Sequence, residues 1–351
     1  MSTPGRLRVV VATPLSDELI DRIEHLEPRL DIVRDPALLP VARFPGDHVG
    51  DPSFRRTPAQ QQAFEQLVDT AEALYGVPDE DPQHLHRTAA ANPGLRWVHT
   101  MPAGGGGQVK AARLSEEQLA RIAFSTSAGV HAEPLAEFAV FGVLAGAKSL
   151  PRLLQQQAAE EWSERWVMPL LSEQRVLVVG LGNIGRATAT KLAALGATVS
   201  GVSRRLVDLP VLDRVIPPDQ LPAAVSEFDA VVVTLPGTVE TESLIGTRVF
   251  SALTPGTTVV NVGRGTVINE PALIAALDSG RVGFAALDVF AAEPLPASSP
   301  LWKHPRVLIS PHTAGLNPAE DRLIAELFAE NAGRLLDGRE LINRVNTVEF
   351  Y

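Results

Sequence analysis

The chain of 351 residues contains no cysteine, which excludes a disulfide framework, a thiolate nucleophile and a cysteine metal site. It also lacks an excess of basic residues: the net charge is -10, which argues against a nucleic-acid-binding surface. No apolar run is long enough to span a membrane, and residues 1–5 lead into a strand-like segment without a signal sequence. We therefore expect a cytoplasmic globular protein that is long enough for two domains.

One stretch has the strand, glycine turn and helix pattern of a dinucleotide-binding unit. Arg175–Val179 is a largely β-branched run, and Gly180, Gly182 and Gly185 follow it in G-x-G-x-x-G spacing. In such a turn the first glycine permits the tight bend, the second lets a pyrophosphate approach, and the third lets the helix pack on the strand. A purely structural glycine turn is the alternative. A second strand at 198–203, the right distance further on, favours the dinucleotide site.

The rest of the chain alternates short apolar runs with amphipathic stretches, which predicts an α/β fold of two doubly wound parallel-sheet domains. The last predicted helix returns toward the first domain, so we expect that domain to comprise residues 1–125 and 317–351, and a dinucleotide-binding domain to comprise 126–316. Further strands are predicted at 7–12, 30–33, 73–77, 96–100, 122–125, 229–235, 257–262, 283–289 and 307–310. Helices are predicted at 16–26 with Ser16 as N-cap, 134–150, 184–195, 240–253, 270–279 and 318–336.

Two segments have more than one interpretation. Residues 36–58 contain five prolines and little periodicity, so we expect an inserted surface loop that is either functional or mobile. Residues 101–107 contain four successive glycines after a predicted strand. They are either a flexible loop or a stretch of bare backbone N–H groups that binds a carboxylate or phosphate.

The predicted helix 134–150 is apolar nearly all round and is therefore expected to be buried on more than one side. A polar arm at 155–168 follows it and carries Trp162 and Trp166. These tryptophans either dock onto another subunit or pack back onto their own. We predict a two-fold homodimer that uses this helix and arm, since such dimers are the commonest soluble assembly.

Three predicted strands are followed by polar side chains that suit anion binding and proton transfer. Arg264 lies between two glycines, where a guanidinium could hold a carboxylate and polarise a carbonyl. His312 follows a proline, and imidazole suits proton transfer near neutral pH. Glu293 could hold and orient that ring. Each residue alone has a structural explanation, but their shared position at the carboxyl ends of strands in one sheet favours a catalytic set.

The chain from about residue 74 onward resembles the D-isomer-specific 2-hydroxyacid dehydrogenases. The motifs that carry this resemblance are Gly180-Leu-Gly-Asn-Ile-Gly185, Asn261-Val-Gly-Arg-Gly265, Asp288-Val-Phe-x-x-Glu-Pro-Leu295 and Ser310-Pro-His312. The resemblance implies a Rossmann-type dinucleotide domain and a flavodoxin-like substrate domain, with the active site in a cleft between them. It implies Arg264, Glu293 and His312 as catalytic residues. Substrate contacts are then expected from Ala103, Gly104, Gly105, Arg264 and His312.

The leading hypothesis is an NAD(P)-dependent 2-hydroxyacid dehydrogenase (EC 1.1.1.-) that reduces a small 2-oxo acid, such as glyoxylate or hydroxypyruvate, to the D-2-hydroxy acid. Relatives of this fold also serve as corepressors, so a non-catalytic nucleotide sensor is the alternative from another class. A phosphite or amino-acid dehydrogenase on the same scaffold is a third. No metal site, nucleic-acid partner or membrane partner is predicted.

The end of the second dinucleotide-domain strand predicts the cofactor. An NAD enzyme of this fold carries Asp or Glu there, but this chain reads Val202-Ser203-Arg204-Arg205 and has no carboxylate before Asp208. Ser203 and Arg204 suit a 2′-phosphate, so we expect NADP to be preferred and NAD to be possible; the alternative is that both arginines merely solvate a turn. The residues expected to bind the dinucleotide are Gly180, Gly182, Asn183, Ile184, Gly185, Ser203, Arg204, Arg205, Leu235, Pro236, Val262 and Asp288.

Overall fold

The computed structural model describes residues 6–205 and 207–350. Residues 1–5, where no signal sequence is expected, and Tyr351, in the predicted first domain, lie outside the described residues. The chain divides into two compact units. We call Met1–His131 with Leu316–Tyr351 the split unit, and Ala132–Gly315 the central unit.

The strands are short and largely buried, as is usual in parallel sheets. They are β1 (Leu7–Val11), β2 (Leu30–Val33), β3 (Ala73–Tyr75), β4 (Trp97–Thr100), β5 (Ala123–Thr126), β6 (Arg175–Val179), β7 (Thr198–Val202), β8 (Leu212–Ile216), β9 (Ala230–Val233), β10 (Thr257–Asn261), β11 (Val282–Leu287) and β12 (Val307–Ile309).

Helices connect most of these strands. Within the described ranges, none of them has the length and apolar character needed to cross a lipid bilayer. They are α1 (Asp17–Leu26), α2 (Pro58–Val68), α3 (Pro82–Ala91), α4 (Gly106–Ala111), α5 (Glu116–Arg121), α6 (Ala132–Ala147), α7 (Leu150–Ala158), α8 (Asn183–Ala194), α9 (Leu221–Ala224), α10 (Thr247–Ala252), α11 (Glu270–Asp278) and α12 (Glu320–Leu336).

In the split unit, β1 to β5 form a parallel sheet in the order β2-β1-β3-β4-β5, which is the flavodoxin-like order. The helix α1 begins after Ser16, whose hydroxyl accepts the N–H of Leu19, so the predicted N-cap is confirmed. The helix α12 packs on α1, and Phe328 stacks on Trp97 of the sheet with ring centroids 4.6 Å apart. The last helix of the chain therefore completes a core that the first strands begin.

In the central unit, β6 to β12 form a parallel sheet in the order β12-β11-β10-β9-β6-β7-β8. Counted from β6, the first six strands have the order 3-2-1-4-5-6, and the order reverses between β6 and β9. The helix α6 packs on α8 and on β10 and β11. A Cβ on Gly146 would lie only 2.1 Å from Thr258 Oγ1, so the helix backbone approaches the sheet closely. The two sheets confirm the predicted doubly wound α/β class.

Two predicted helices differ from those in the structure, and one strand of the structure was not predicted. The helix predicted at 240–253 is wrong over its first half, because Ile245 instead forms a parallel bridge with Ile268 and only α10 is helical. The helix predicted at 134–150 ends at Ala147, and α7 begins separately after Ser149, which has a left-handed φ of 53°. The strand β8 was not predicted, because its Asp213 and Arg214 are exposed.

The proline-rich segment 36–58 is built from specific contacts. Asp47 is buried and accepts hydrogen bonds from Arg43 Nε at 2.6 Å and from the N–H of Gly50 at 3.1 Å. The N–H of Gly46 donates to the Asp321 carboxylate at the start of α12 at 3.1 Å. Arg43 lowers the pKa of the Asp47 carboxyl well below its usual range, with partial burial opposing it. The buried Asp47 thus braces the segment from within, and the part-buried Gly46–Asp321 hydrogen bond ties it to α12.

Candidate active site

The glycine turn after β6 has the shape that its spacing predicts. Gly180 has φ 102°, and a Cβ on Gly185 would lie 1.9 Å from the Gly180 carbonyl oxygen, so both positions require glycine. A Cβ on Gly182, by contrast, would meet nothing within 4 Å. The helix α8 begins at Asn183, followed by Ile184, and its first N–H groups have no intrahelical acceptor. The open space and these N–H groups fit a pyrophosphate.

The turn after β7 contains the residues that are expected to select the cofactor. The N–H of Arg205 donates to Ser203 Oγ at 3.1 Å, and the Arg204 and Arg205 side chains are exposed. A hydrogen bond from Thr238, with the positive charge of Arg204 as a smaller cause, lowers the pKa of the Glu240 carboxyl. Arg204 thus has a carboxylate within electrostatic range.

The remaining predicted dinucleotide contacts follow β9, β10 and β11 at the same edge of the sheet. Leu235 lies against the glycine turn, since a Cβ on Gly180 would be 2.9 Å from its Cδ2. Pro236 follows it, and Val262 directly follows β10 and is buried. Because all strands of this sheet are parallel, these residues share one edge with the turn after β6.

Asp288 is almost fully buried and organises the segment that carries His312. Its Oδ1 accepts hydrogen bonds from Ser310 Oγ at 2.7 Å and from the N–H groups of Thr313 and Ala314 at 3.0 Å each. Its backbone carbonyl accepts the N–H of His312 at 2.9 Å. Its Oδ2 is buried and has no hydrogen-bond partner among the described residues, which leaves one acceptor for a ligand N–H group.

Close backbone contacts fix the turn that carries Arg264. A Cβ on Gly263 would lie 2.5 Å from the Leu235 carbonyl oxygen, and one on Gly265 would lie 1.8 Å from the Phe290 carbonyl carbon. The buried Asn261 side chain spans the turn: Oδ1 accepts the N–H of Gly263 at 3.1 Å, and Nδ2 donates to the Arg264 carbonyl at 3.2 Å. Arg264 Nη1 donates to the Gly263 carbonyl at 2.8 Å, and the residue is exposed.

The side chains of Glu293 and His312 are hydrogen-bonded, with 2.6 Å between Glu293 Oε2 and His312 Nδ1. Glu293 Oε1 also accepts the N–H of Phe290 at 2.9 Å. Partial burial alone would raise the pKa of the Glu293 carboxyl. The hydrogen bonds from Phe290 and His312 and the positive charges of His312 and Arg264 outweigh it and lower that pKa. The carboxylate therefore stays charged at neutral pH, while His312 Nε2 is left for another partner.

The predicted substrate loop lies in the split unit, after β4. Ala103 and Gly104 are exposed, while Gly105 is buried against Thr100, whose Oγ1 would lie 1.7 Å from a Cβ there. Arg264, Glu293 and His312 all lie in the central unit.

Two supporting residues were not predicted from the sequence: Asn261 and Ser310. Asn261 and Ser310 are buried polar residues at or just after strand ends, which is a signal that could have identified them. No cluster of His, Asp and Glu suited to a metal ion occurs in the described ranges.

Comparison with known proteins gives a consistent family assignment. The model of the "D-isomer specific 2-hydroxyacid dehydrogenase, NAD binding domain" family matches residues 140–314. Glyoxylate/hydroxypyruvate reductase A of Yersinia enterocolitica is 33% identical over 205 residues, which are 56% of this chain and 64% of that protein. The match thus spans slightly less than two thirds of that relative.

Solved structures match over nearly the whole chain. A D-isomer-specific 2-hydroxyacid dehydrogenase from Xanthobacter autotrophicus Py2, in complex with NADPH and MES, is 30% identical with a TM-score of 0.75. The match covers 99% of this chain and 100% of that one. A family protein from Aeromonas salmonicida is 27% identical with a TM-score of 0.76, covering 97% and 99% of the two chains.

Proposed function

The chain belongs to the D-isomer-specific 2-hydroxyacid dehydrogenase family, and we propose that it reduces a small 2-oxo acid, of the glyoxylate or hydroxypyruvate type, to the D-2-hydroxy acid with NAD(P)H. The observation that carries the proposal is the Glu293–His312 pair, at the same sheet edge as the glycine turn. The similarity to the Yersinia glyoxylate/hydroxypyruvate reductase A supports the choice of substrate class.

The residues present fit a dinucleotide, which supplies hydride to the substrate when bound. The turn Gly180–Gly185 would take the pyrophosphate, and the unpartnered Asp288 Oδ2 would accept an N–H of the nicotinamide carboxamide. Ser203 and Arg204 would take a 2′-phosphate, so NADPH is the preferred cofactor and NADH the weaker one. The NADPH bound in the Xanthobacter protein supports this preference.

His312 supplies the proton in this proposal. The ionised Glu293 carboxylate holds Nδ1, which stabilises the charged imidazolium and leaves Nε2–H to donate to the carbonyl oxygen as C2 is reduced. Arg264 presents a planar guanidinium that can grip the substrate carboxylate and polarise the carbonyl. The substrate contacts expected from Ala103, Gly104 and Gly105 stay a prediction, and the N–H of Gly105 donates to the Pro102 carbonyl at 3.1 Å.

We also propose a cytoplasmic homodimer built on the central unit. The helix α7 has no buried residue, and a set of apolar side chains on and around it is exposed. Trp162 is fully exposed, whereas the Arg152 guanidinium lies over the ring of Trp166, 4.0 Å from the centroid of that ring. A second copy of the chain would cover these exposed side chains, which are Phe141, Leu153, Leu154, Trp162, Val167 and Leu170.

A panel of 2-oxo acids tests the activity. Loss of NADPH absorbance should follow the addition of glyoxylate or hydroxypyruvate to the purified protein, and the product should be the D-enantiomer where C2 is chiral. Phosphite with NADP as oxidant tests the alternative dehydrogenase. Cofactor binding without turnover of any compound would contradict the proposal and favour a corepressor-like nucleotide sensor.

A further inference from the structure

The segment that carries Glu293 depends on side chains for its position. Residues 288–293 belong to no helix or strand, although Glu293 must stay within 2.6 Å of His312 Nδ1. Within the segment, the N–H of Phe290 donates to Glu293 Oε1 at 2.9 Å. Phe290 also lies against Gly265, where there is no room for a Cβ. The position of the Glu293 carboxylate therefore depends on the position of the backbone around Phe290.

Glu270 holds that backbone from outside the segment. Its Oε1 accepts the N–H of Ala291 at 2.6 Å, a short charge-assisted hydrogen bond. Glu270 is itself fixed as the first residue of α11, a helix capped by Asn269 Oδ1, which accepts the N–H of Ala272 at 3.0 Å. The contact joins a rigid helix start to the loop.

The two hydrogen bonds fix successive peptide groups. The N–H of Phe290 binds Glu293, and the N–H of Ala291 binds Glu270, so the peptide planes on both sides of the Phe290 Cα are held. If the second bond is lost, the plane between Phe290 and Ala291 is free to rotate. The Glu293 carboxylate and the ring that it orients would then move with it.

We propose that Glu270 is a positioning residue for the reaction, acting through the backbone of Phe290 and Ala291 on the Glu293–His312 pair. This inference rests on the proposed function, since it assigns Glu270 to the proton-transfer step. Glu270 itself contacts Ala291 and not His312.

Two substitutions and a matched control separate this role from a structural one. Glu270→Ala removes the acceptor, whereas Glu270→Gln keeps an acceptor oxygen at the same reach. Glu116→Ala is the control, because Glu116 is also the first residue of a helix that a side chain caps. Its side chain makes no hydrogen bond or ion pair within residues 6–205 and 207–350, so its loss changes only the charge at the helix start.

The first readout is kinetic. We expect Glu270→Ala to lower kcat for 2-oxo acid reduction by about tenfold or more, because a shift of about 1 Å in a catalytic group can cost about 100-fold. KM for the cofactor should stay unchanged, since the glycine turn is not touched. Glu270→Gln should restore most of the rate, and Glu116→Ala should match the unaltered chain. An equal loss of kcat in Glu270→Ala and Glu270→Gln, or an unchanged kcat in Glu270→Ala, would overturn the proposal.

The second readout does not need activity. Carboxyl-carbon NMR, with Glu293→Gln to assign the signal, follows the titration of Glu293. Its pKa is lowered by hydrogen bonds that need the ordered loop, so Glu270→Ala should raise it toward its usual value and Glu270→Gln should not. A Glu293 pKa that stays low in Glu270→Ala would refute the positioning role. If the unaltered chain has no oxo-acid reductase activity but the Glu293 pKa still rises in Glu270→Ala, the proposed function is refuted. The positioning of Glu293 by Glu270 is then still supported.

Discussion

Replacing Arg204 with alanine should weaken the use of NADPH and leave the use of NADH almost unchanged. No carboxylate directly follows β7, and the half-buried Ser203 and the exposed Arg204 stand where a ribose-binding Asp or Glu would be in an NAD enzyme. A 2′-phosphate carries about -1.5 to -2 charges at neutral pH, so its contact with a guanidinium is charge-assisted. NADH has no such group, and its binding does not depend on that contact.

The magnitude follows from the exposure of the contact. A hydrogen bond to a charged group contributes about 1.5–3 kcal/mol, and solvent screening at an exposed site reduces this to about 1–2 kcal/mol. That range corresponds to about 5- to 30-fold in kcat/KM. Arg204 also lies within electrostatic range of Glu240, which would lose that favourable charge in the variant.

Steady-state kinetics with both cofactors measure the effect. The unaltered chain should prefer NADPH by about tenfold or more. Arg204→Ala should abolish most of that preference, and higher ionic strength should reduce it as well. Arg248→Ala, which removes another exposed arginine of the central unit, should leave the preference in place. An equal loss of kcat/KM with both cofactors in Arg204→Ala, or a preference for NADH that survives Arg204→Ala, would refute the proposed role of Arg204.

Three further predictions concern stability, the substrate and assembly. Burial, with a smaller contribution from the charge of His48, lowers the pKa of His99 from 6.5 to about 3, so the free energy of unfolding falls as pH falls from 6.5 toward 3. Urea unfolding should show a loss of about 2 kcal/mol by pH 5. His99→Gln should flatten this pH dependence, whereas His25→Gln at an exposed site should not. Arg264→Lys keeps the charge without the planar fork and should lower kcat/KM for the oxo acid; an unchanged value would make the arginine structural. Light scattering at micromolar concentration should give a dimer mass, and Trp162→Ala should weaken the dimer; a monomer mass for the unaltered chain would contradict the proposed interface.

The sequence predicted features that depend on local rules. The glycine turn at 180–185 and the N-cap Ser16 follow from backbone geometry within a few residues, and both are where the pattern predicted them. The buried parallel strands appear as short apolar runs, because both faces of such sheets are covered. Their predicted ends differ by one or two residues, since hydrophobicity continues beyond the last ladder hydrogen bond.

Features that depend on distant partners were not predicted. The apolar residues of 240–253 have helical spacing, but Ile245 pairs with Ile268, and this tertiary contact outweighs helix propensity. The edge strand β8 has a solvated face, so it lacks the apolar run that marks a buried strand. Glu270 is 21 residues from Ala291 along the chain, and only the folded loop shows that they meet.

The most direct test of the account is the rate of NADPH oxidation by glyoxylate or hydroxypyruvate in the unaltered chain and in His312→Ala. We expect turnover in the first and a loss of about 10²–10⁴-fold in the second, because the general acid is removed. NADPH binding by fluorescence should persist in both, since the glycine turn is intact. Turnover in His312→Ala close to that of the unaltered chain would contradict the central assignment.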